Sequence, residues 1–258
     1  MAKTVPEGIG IADTTKAVAP VCPFRDINWK RTSLQETVIG HTVGAMNENH
    51  AKLCPSPDWA TFLHAEVMPA VAGERDLGDE LIEVGPGPGA STDWLRHRVR
   101  RLVAVELERS AADALTDRFA GTNVEVINQD ATALSFPASS FDSAASFTML
   151  HHVPTARLQN QLLAELLRVL RPGGVLIGSD SLASDALHRF HDGDTYNPVE
   201  PASLLTRLQT LGYERITITV DYGMRFVAHK PDSSVTELAD RRRAEPVGRQ
   251  QRCLRAGG

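Results

Sequence analysis

The sequence contains few cysteines, few aromatic residues and no long hydrophobic run. Its three cysteines, Cys22, Cys54 and Cys253, are far apart and form no CxxC pair, so neither a disulfide framework nor a zinc-binding cysteine motif is indicated. The sequence has no apolar stretch of about 18 residues and no signal-peptide pattern near residue 1. We therefore expect a soluble, cytoplasmic protein.

The sequence also has no excess of positively charged residues. The chain has 27 Lys and Arg against 32 Asp and Glu, a formal net charge of −5. Proteins that bind nucleic acids or anionic membranes generally need a basic face. We therefore expect a small molecule as partner, with no nucleic acid and no membrane, and we leave a homodimer open.

The sequence is organised around a glycine-rich stretch that follows a short apolar run. Residues 81–84 are Leu-Ile-Glu-Val, and Gly85, Gly87 and Gly89 come directly after them. Glycine permits a positive φ and removes the β-carbon that would hold a ligand away from the main chain. Because a helical pattern follows, the stretch predicts a strand, a tight loop and a helix that together bind a nucleotide-like cofactor.

The spacing of the glycines by itself leaves the ligand open. Gly85-x-Gly87-x-x-Ala90, with the acid Glu106 close to 20 residues further on, also satisfies the dinucleotide fingerprint. Pyrophosphate is held by backbone N–H groups, however, and Pro86 and Pro88 have none. Glu83 would repel phosphate and attract a cation, so the residues favour a positively charged ligand.

Further apolar strands alternate with helices along the chain. The strands are predicted over residues 102–106, 124–130, 141–147 and 175–178, and helices over residues 91–98, 111–120, 155–171 and 201–211. An earlier helix follows Pro57, with Asp58 as its expected N-cap. Such alternation predicts an α/β fold with a doubly wound, mostly parallel sheet covered on both faces. Two strands over residues 215–220 and 224–229 form a hairpin, so the sheet should contain an antiparallel C-terminal strand.

At Glu83, Gly85, Gly87 and Gly89 the sequence resembles the first motif of the class I S-adenosylmethionine-dependent methyltransferases, among them those that act on small molecules. The likeness covers roughly residues 50–230. It implies a Rossmann-like, seven-stranded sheet, S-adenosylmethionine as cofactor and S-adenosylhomocysteine as product. We expect an N-terminal extension over residues 1–40, a methyltransferase domain over residues 41–230 and a polar tail over residues 231–258.

The resemblance also implies roles for residues at the strand ends. Glu106 would accept hydrogen bonds from the ribose hydroxyls, and Leu107 would form an apolar wall for adenine. Asp130 and Ala131 would contact the adenine edge, and Phe147 would approach the methionine end. A surface acid at Glu106 and a turn-capping aspartate at Asp130 are the plainer alternatives.

Two histidines, His151 and His152, follow the fourth strand and are the candidate catalytic residues, because a histidine can remove a proton from an attacking group. A packing role is the alternative. Residues 188–194 carry two histidines and two aspartates, but their spacing matches no metal-binding motif, so we expect a substrate-contacting lid there and no metal. A loose resemblance places Asn49, His50 and Lys52 near the methionine carboxylate.

We therefore expect a methyltransferase that transfers a methyl group to a small molecule. A protein that binds S-adenosylmethionine without chemistry is the main alternative, and an NAD-dependent oxidoreductase is another. The oxidoreductase would need a motif such as Tyr-x-x-x-Lys, and none of Tyr196, Tyr213 and Tyr222 has a lysine four residues on.

Overall fold

The computed structural model describes residues 47–232, apart from the side chain of Asn49. The predicted N-terminal extension and nearly all of the predicted C-terminal tail lie outside the described residues. Among residues 47–232, no helix combines the length and apolar character needed to cross a bilayer.

The described chain alternates helices and strands. The helices are α1 (Glu48–Leu53), α2 (Pro57–Phe62), α3 (Met68–Val71), α4 (Ala90–Leu95), α5 (Arg109–Arg118), α6 (Ala156–Val169), α7 (Asp185–Phe190) and α8 (Pro201–Leu211). A π-helical segment, Leu63–Val67, connects α2 to α3, and a 3-10 turn, Leu150–His152, precedes α6. The strands are β1 (Glu80–Val84), β2 (Arg101–Glu106), β3 (Val124–Asn128), β4 (Phe141–Phe147), β5 (Leu170–Asp180), β6 (Glu214–Val220) and β7 (Met224–His229).

All seven strands form one sheet in the order β3-β2-β1-β4-β5-β7-β6. The strands β1 to β5 run parallel, and β7 is antiparallel to both β5 and β6. The predicted doubly wound sheet with a reversed C-terminal strand is confirmed. Strand order reverses between β1 and β4, which is where sheets of this kind bind ligands, at the carboxyl ends of the strands.

Alternate residues of the central strands face opposite layers of helices. Ile82 packs with α6 and α8, whereas its neighbour Leu81 packs with the helices from α2 to α5. Both side chains are fully buried. Since each strand is covered on both faces, its apolar run is nearly continuous in sequence, and this is why β1 and β2 were predictable.

Two local predictions were wrong. The helix α2 is capped by Ser56 instead of Asp58, because Ser56 Oγ accepts the Trp59 N–H at 3.2 Å and Pro57 occupies the first helical position. The strand β5 begins at Leu170, earlier than predicted. Its Gly173 and Gly174 pair with Lys230, through Gly173 N–H to Lys230 O at 3.1 Å and Lys230 N–H to Gly174 O at 2.9 Å.

Candidate functional site

The loop from β1 to α4 holds three glycines in the left-handed region, with φ of +63° at Gly85, +53° at Gly87 and +88° at Gly89. A β-carbon would lie 2.1 Å from Met149 Cγ at Gly85 and 2.7 Å from the Phe119 ring at Gly89. At Gly87 no atom of the described residues lies within 4 Å of that position. The outer glycines allow the loop to pack, and Gly87 leaves an open space beside the backbone.

Glu83 is buried at the end of β1, with 1% of its surface exposed. Its carboxylate oxygens accept hydrogen bonds from Ser91 Oγ at 2.5 Å and Thr92 Oγ1 at 2.6 Å, in the first turn of α4. Burial, and to a smaller extent the charge of Glu106, raise the pKa of Glu83 to about 7. Glu83 therefore ties β1 to α4 beneath the glycine loop, and its predicted contact with a cofactor stays a prediction.

Glu106 closes β2 and is half-buried. Its Oε2 accepts the Gly87 N–H at 3.3 Å and its Oε1 accepts the Glu108 N–H at 3.1 Å. Burial raises the pKa of Glu106, although these backbone bonds oppose the shift. Since a carboxylate has about four lone-pair sites, Glu106 keeps acceptor capacity beside the open space at Gly87. Leu107, with 55% of its surface exposed, presents an apolar side chain next to it.

Asp130 follows β3 and is exposed. Its Oδ1 accepts the Thr132 N–H at 2.8 Å, so it has the turn-capping role that its position also predicts. A carboxylate has two oxygens, and this bond is compatible with the predicted contact to an adenine amino group. Ala131 is half-buried against the core.

The carboxyl ends of parallel strands lie at one edge of the sheet, so the glycine loop, Glu106 and Asp130 share an edge with the end of β4. Phe147 is buried there, with 4% of its surface exposed. The next residue, Thr148, has a φ of +49° and donates its N–H to Ser179 O at 2.8 Å. A positive φ is unusual for a β-branched residue, and such strain is typical of functional sites.

A cavity of about 280 Å³ opens at the same edge, where β4, β5 and β7 meet. Its lining is mostly apolar and includes Trp59, Phe62, Leu187 and Phe190. Asp180, at the end of β5, and Arg225, on β7, are its charged lining residues, and the Asp180 side chain is fully buried. The dimensions and the lining suit a small, largely apolar molecule.

His151 and His152 lie on the 3-10 turn after β4. His151 is buried, and its Nδ1 hydrogen-bonds Asp180 Oδ1 while its backbone N–H donates to Asp180 Oδ2 at 3.2 Å. Burial and neighbouring histidines lower the pKa of His152 to about 2, which makes it a weak base. Among the described residues that line the cavity, neither histidine appears, so their predicted catalytic role stays a prediction.

The rings that contact His50 belong to segments other than the glycine loop. His50 is buried and packs against His152, His191 and Phe190, with ring centroids 4.4 to 4.8 Å apart. Lys52 is exposed and pairs with Glu48 on the same helix at 3.4 Å. The placement of both residues near a cofactor carboxylate stays a prediction.

Sequence reasoning missed several residues of this edge. Ser91 and Thr92 had been assigned to the start of a helix, without the bonds to Glu83. Asp180 follows an apolar strand as Glu106 does, and that shared pattern was the available signal. The residues that line the cavity come from segments far apart in sequence, so no local pattern marks them.

The fold and the site together define a doubly wound α/β protein whose glycine loop and strand-end acids lie at the edge of the sheet where strand order reverses. Residues 82–178 match the family model described as a methyltransferase domain. A probable S-adenosylmethionine-dependent methyltransferase of Mycolicibacterium smegmatis is 27% identical over 160 residues, which is 59% of either chain. A probable ribosomal RNA small subunit methyltransferase A of Methanosarcina mazei is 38% identical over 76 residues, 29% of this chain and 27% of that protein.

Among solved structures, the CurJ carbon methyltransferase superposes with a TM-score of 0.55 at 14% identity, covering 67% of this chain and 54% of that one. This likeness concerns the fold. Over its central part the chain is thus similar to the class I S-adenosylmethionine-dependent methyltransferases. It spans about 59% of the length of the M. smegmatis relative and about 27% of the ribosomal RNA methyltransferase.

Proposed function

We propose that this protein binds S-adenosylmethionine at the edge formed by β1, β2 and β3 and transfers its methyl group to a small molecule. The observation that carries the proposal is the open space at Gly87, bordered by the Glu106 carboxylate. Pro86 and Pro88 remove two phosphate-binding N–H groups from the loop. The Glu106 carboxylate beside this space favours a cationic ligand over a pyrophosphate.

The residues present fit this cofactor. Glu106 would accept from the ribose hydroxyls, Leu107 would cover one face of adenine, and Asp130 would accept from the adenine amino group. The glycine loop would hold the methionine part near Phe147. When bound, S-adenosylmethionine supplies a methyl group that its sulfonium already activates, so the chain's own contribution is to align the acceptor and exclude water.

The cavity beside Thr148 and Asp180 is the proposed acceptor site. Its largely apolar wall favours a small apolar molecule. The net charge of −5 favours this class over RNA, although several relatives are named for ribosomal RNA methylation. The geometry favours alignment over base catalysis by His152, because the low pKa of that ring weakens it as a base.

Replacement of Glu106 tests the cofactor assignment. Glu106→Gln should weaken binding of S-adenosylmethionine and S-adenosylhomocysteine about 10- to 100-fold, since hydrogen bonds to a charged group contribute about 1.5–3 kcal/mol. Calorimetry measures both affinities. Asp113→Asn, which removes an exposed acid of the neighbouring helix α5, is the matched control and should bind like the wild type. Unchanged affinity in Glu106→Gln would remove the ribose contact from the proposal.

Narrowing the cavity tests the acceptor site separately. Small acceptors can be identified by the release of S-adenosylhomocysteine. Ala186→Phe adds a ring to the cavity wall, so the KM for such an acceptor should rise several-fold while the affinity for the cofactor stays unchanged. Ala202→Phe, on the exposed face of α8, is the control. If S-adenosylhomocysteine is released in the presence of RNA but not in the presence of any small molecule tested, the proposed acceptor class is wrong. If the protein binds S-adenosylmethionine but releases no S-adenosylhomocysteine with either small molecules or RNA, the result would favour the non-catalytic alternative.

A further inference from the structure

Four histidines from three separate segments meet in the interior. His50 comes from α1, His151 and His152 from the turn after β4, and His191 from the end of α7. One nitrogen of each ring lies within 4.8 Å of one from every other. Three of the four residues are at least 96% buried, and His152 is half-buried. We call this group the histidine cluster.

The Nδ1 atoms of three rings already face oxygen acceptors. His151 Nδ1 bonds Asp180 Oδ1, and His191 Nδ1 lies 2.6 Å from Leu187 O. His50 Nδ1 lies 2.9 Å from Asp194 Oδ2, as an ion-pair contact without the alignment of a hydrogen bond. A carboxylate or carbonyl on one ring nitrogen is the usual partner of a metal-binding histidine, because it fixes the tautomer and orients the other nitrogen. In these three rings Nε2 is thus the nitrogen left to bind an ion.

A buried nitrogen of the cluster lacks a hydrogen-bond partner among the described residues. His191 Nε2 is buried and has no hydrogen-bond partner within residues 47–232. Buried polar atoms in proteins are normally paired, and a core histidine that merely packs would have both nitrogens paired. A metal ion bound to Nε2 would satisfy this atom.

The charges around the cluster match those of a divalent cation. Asp180 is 2% exposed, and the Asp194 side chain is 10% exposed. Asp180 bonds the His151 ring, and Asp194 Oδ2 lies 2.9 Å from His50 Nδ1. Two buried carboxylates thus lie beside the rings, where they would orient the histidines and offset the cost of burying a cation.

We propose that the histidine cluster is a binding site for a divalent transition metal, with zinc as the ion it fits best. Imidazole nitrogens suit zinc and its neighbours in the first transition row, whereas magnesium and calcium prefer oxygen. Zinc–nitrogen bonds of about 2.0–2.1 Å in a tetrahedron place the nitrogens about 3.4 Å apart. Ring movements of less than about 1 Å each would close the present spacing to that value.

The ion would have a structural role that affects the acceptor cavity. With four protein ligands the coordination is closed, as in structural zinc sites. It would connect α1, the turn after β4 and α7, and α7 supplies Leu187 and Phe190 to the cavity wall. Residues 188–194, predicted from the sequence as a lid without a metal, would then be fixed by His191.

Metal titration of the full-length protein tests this proposal. After treatment with a chelator and dialysis, the wild-type chain should take up one equivalent of zinc, measured by elemental analysis. Titration with Co²⁺ should give the intense visible bands of a tetrahedral site. His191→Gln and His50→Gln should each weaken zinc binding at least about 100-fold, and Asp194→Asn about 10- to 100-fold, as loss of an outer hydrogen-bonding partner does.

The matched control is His188→Gln, which removes an exposed histidine of α7 outside the cluster and should bind zinc like the wild type. Circular dichroism and cofactor affinity report on the fold of each variant, and this readout is independent of methyl transfer. If the wild-type chain takes up no stoichiometric zinc or cobalt, the proposal is wrong regardless of the variants. Equal zinc affinity in His191→Gln and in the wild type would also overturn it.

Discussion

Glu83 links the packing of the fold to the charge of the cleft. Burial raises the pKa of its carboxyl group from the ordinary value of 4.5 to about 7 in the folded protein. The unfolded chain therefore loses this proton at lower pH than the folded chain does. As a result, this group stabilises the fold fully below about pH 4.5, and the contribution is lost as the pH rises through 7.

We predict that Glu83→Gln removes this pH dependence. Relative to the variant, the wild type should lose about 2–3 kcal/mol of unfolding free energy between pH 5 and pH 8, since one pKa unit corresponds to 1.36 kcal/mol. Urea unfolding of both proteins at the two pH values measures the difference. Glu125→Gln, which changes a half-exposed acid paired with Arg101 on the surface, is the control, and a Glu83→Gln profile parallel to that of the wild type would contradict the assignment.

At the scale of elements, the loop from β1 to α4 combines two kinds of glycine. Gly85 and Gly89 meet Met149 and Phe119, whereas Gly87 meets open space at the same positive φ. The first two are required for packing. At Gly87 the positive φ favours glycine, and no atom of the described residues would meet a β-carbon. Any effect of a β-carbon beyond backbone strain should therefore come from a clash with a bound ligand.

We therefore predict that Gly87→Ala costs about 1–2 kcal/mol of stability, the price of a left-handed residue with a β-carbon, and also weakens S-adenosylmethionine binding about 10-fold or more. Gly121→Ala is a matched control, because Gly121 has a φ of +76° and open space around its β-carbon position, away from the cleft. It should lose similar stability and keep its affinity. Thermal unfolding and calorimetry measure the two effects, and equal affinities in the two variants would contradict the proposed contact.

The elements themselves were largely predictable. The strands β1 and β2 are apolar runs buried on both faces, and α8 matches its predicted bounds, residues 201–211. The start of β5 was missed because its Pro-Gly-Gly segment is typical of a helix end, and its pairing with Lys230 depends on a contact about 57 residues away in sequence. Local patterns indicate propensity, whereas such pairing depends on the assembled sheet.

At the scale of the molecule, the cofactor edge and the histidine cluster differ in how far sequence could predict them. Glu106 ends β2 and Asp130 closely follows β3, so the topology places both at the same edge of the sheet. His50 and His191 lie on short helices about 140 residues apart, joined through Asn47 Nδ2 to Phe190 O at 2.7 Å. No spacing in the sequence reports such a contact, so the cluster could be recognised from the structure and not from the residues alone.

The central claim is that this cleft selects a cationic adenosine derivative over a phosphate-bearing dinucleotide. Calorimetry of one preparation with S-adenosylmethionine, S-adenosylhomocysteine and NAD tests it most directly. We predict that the two adenosine derivatives bind at least about 10-fold more tightly than NAD, a difference of about 1.4 kcal/mol or more. Tight binding of NAD, with no measurable binding of S-adenosylmethionine, would contradict the account.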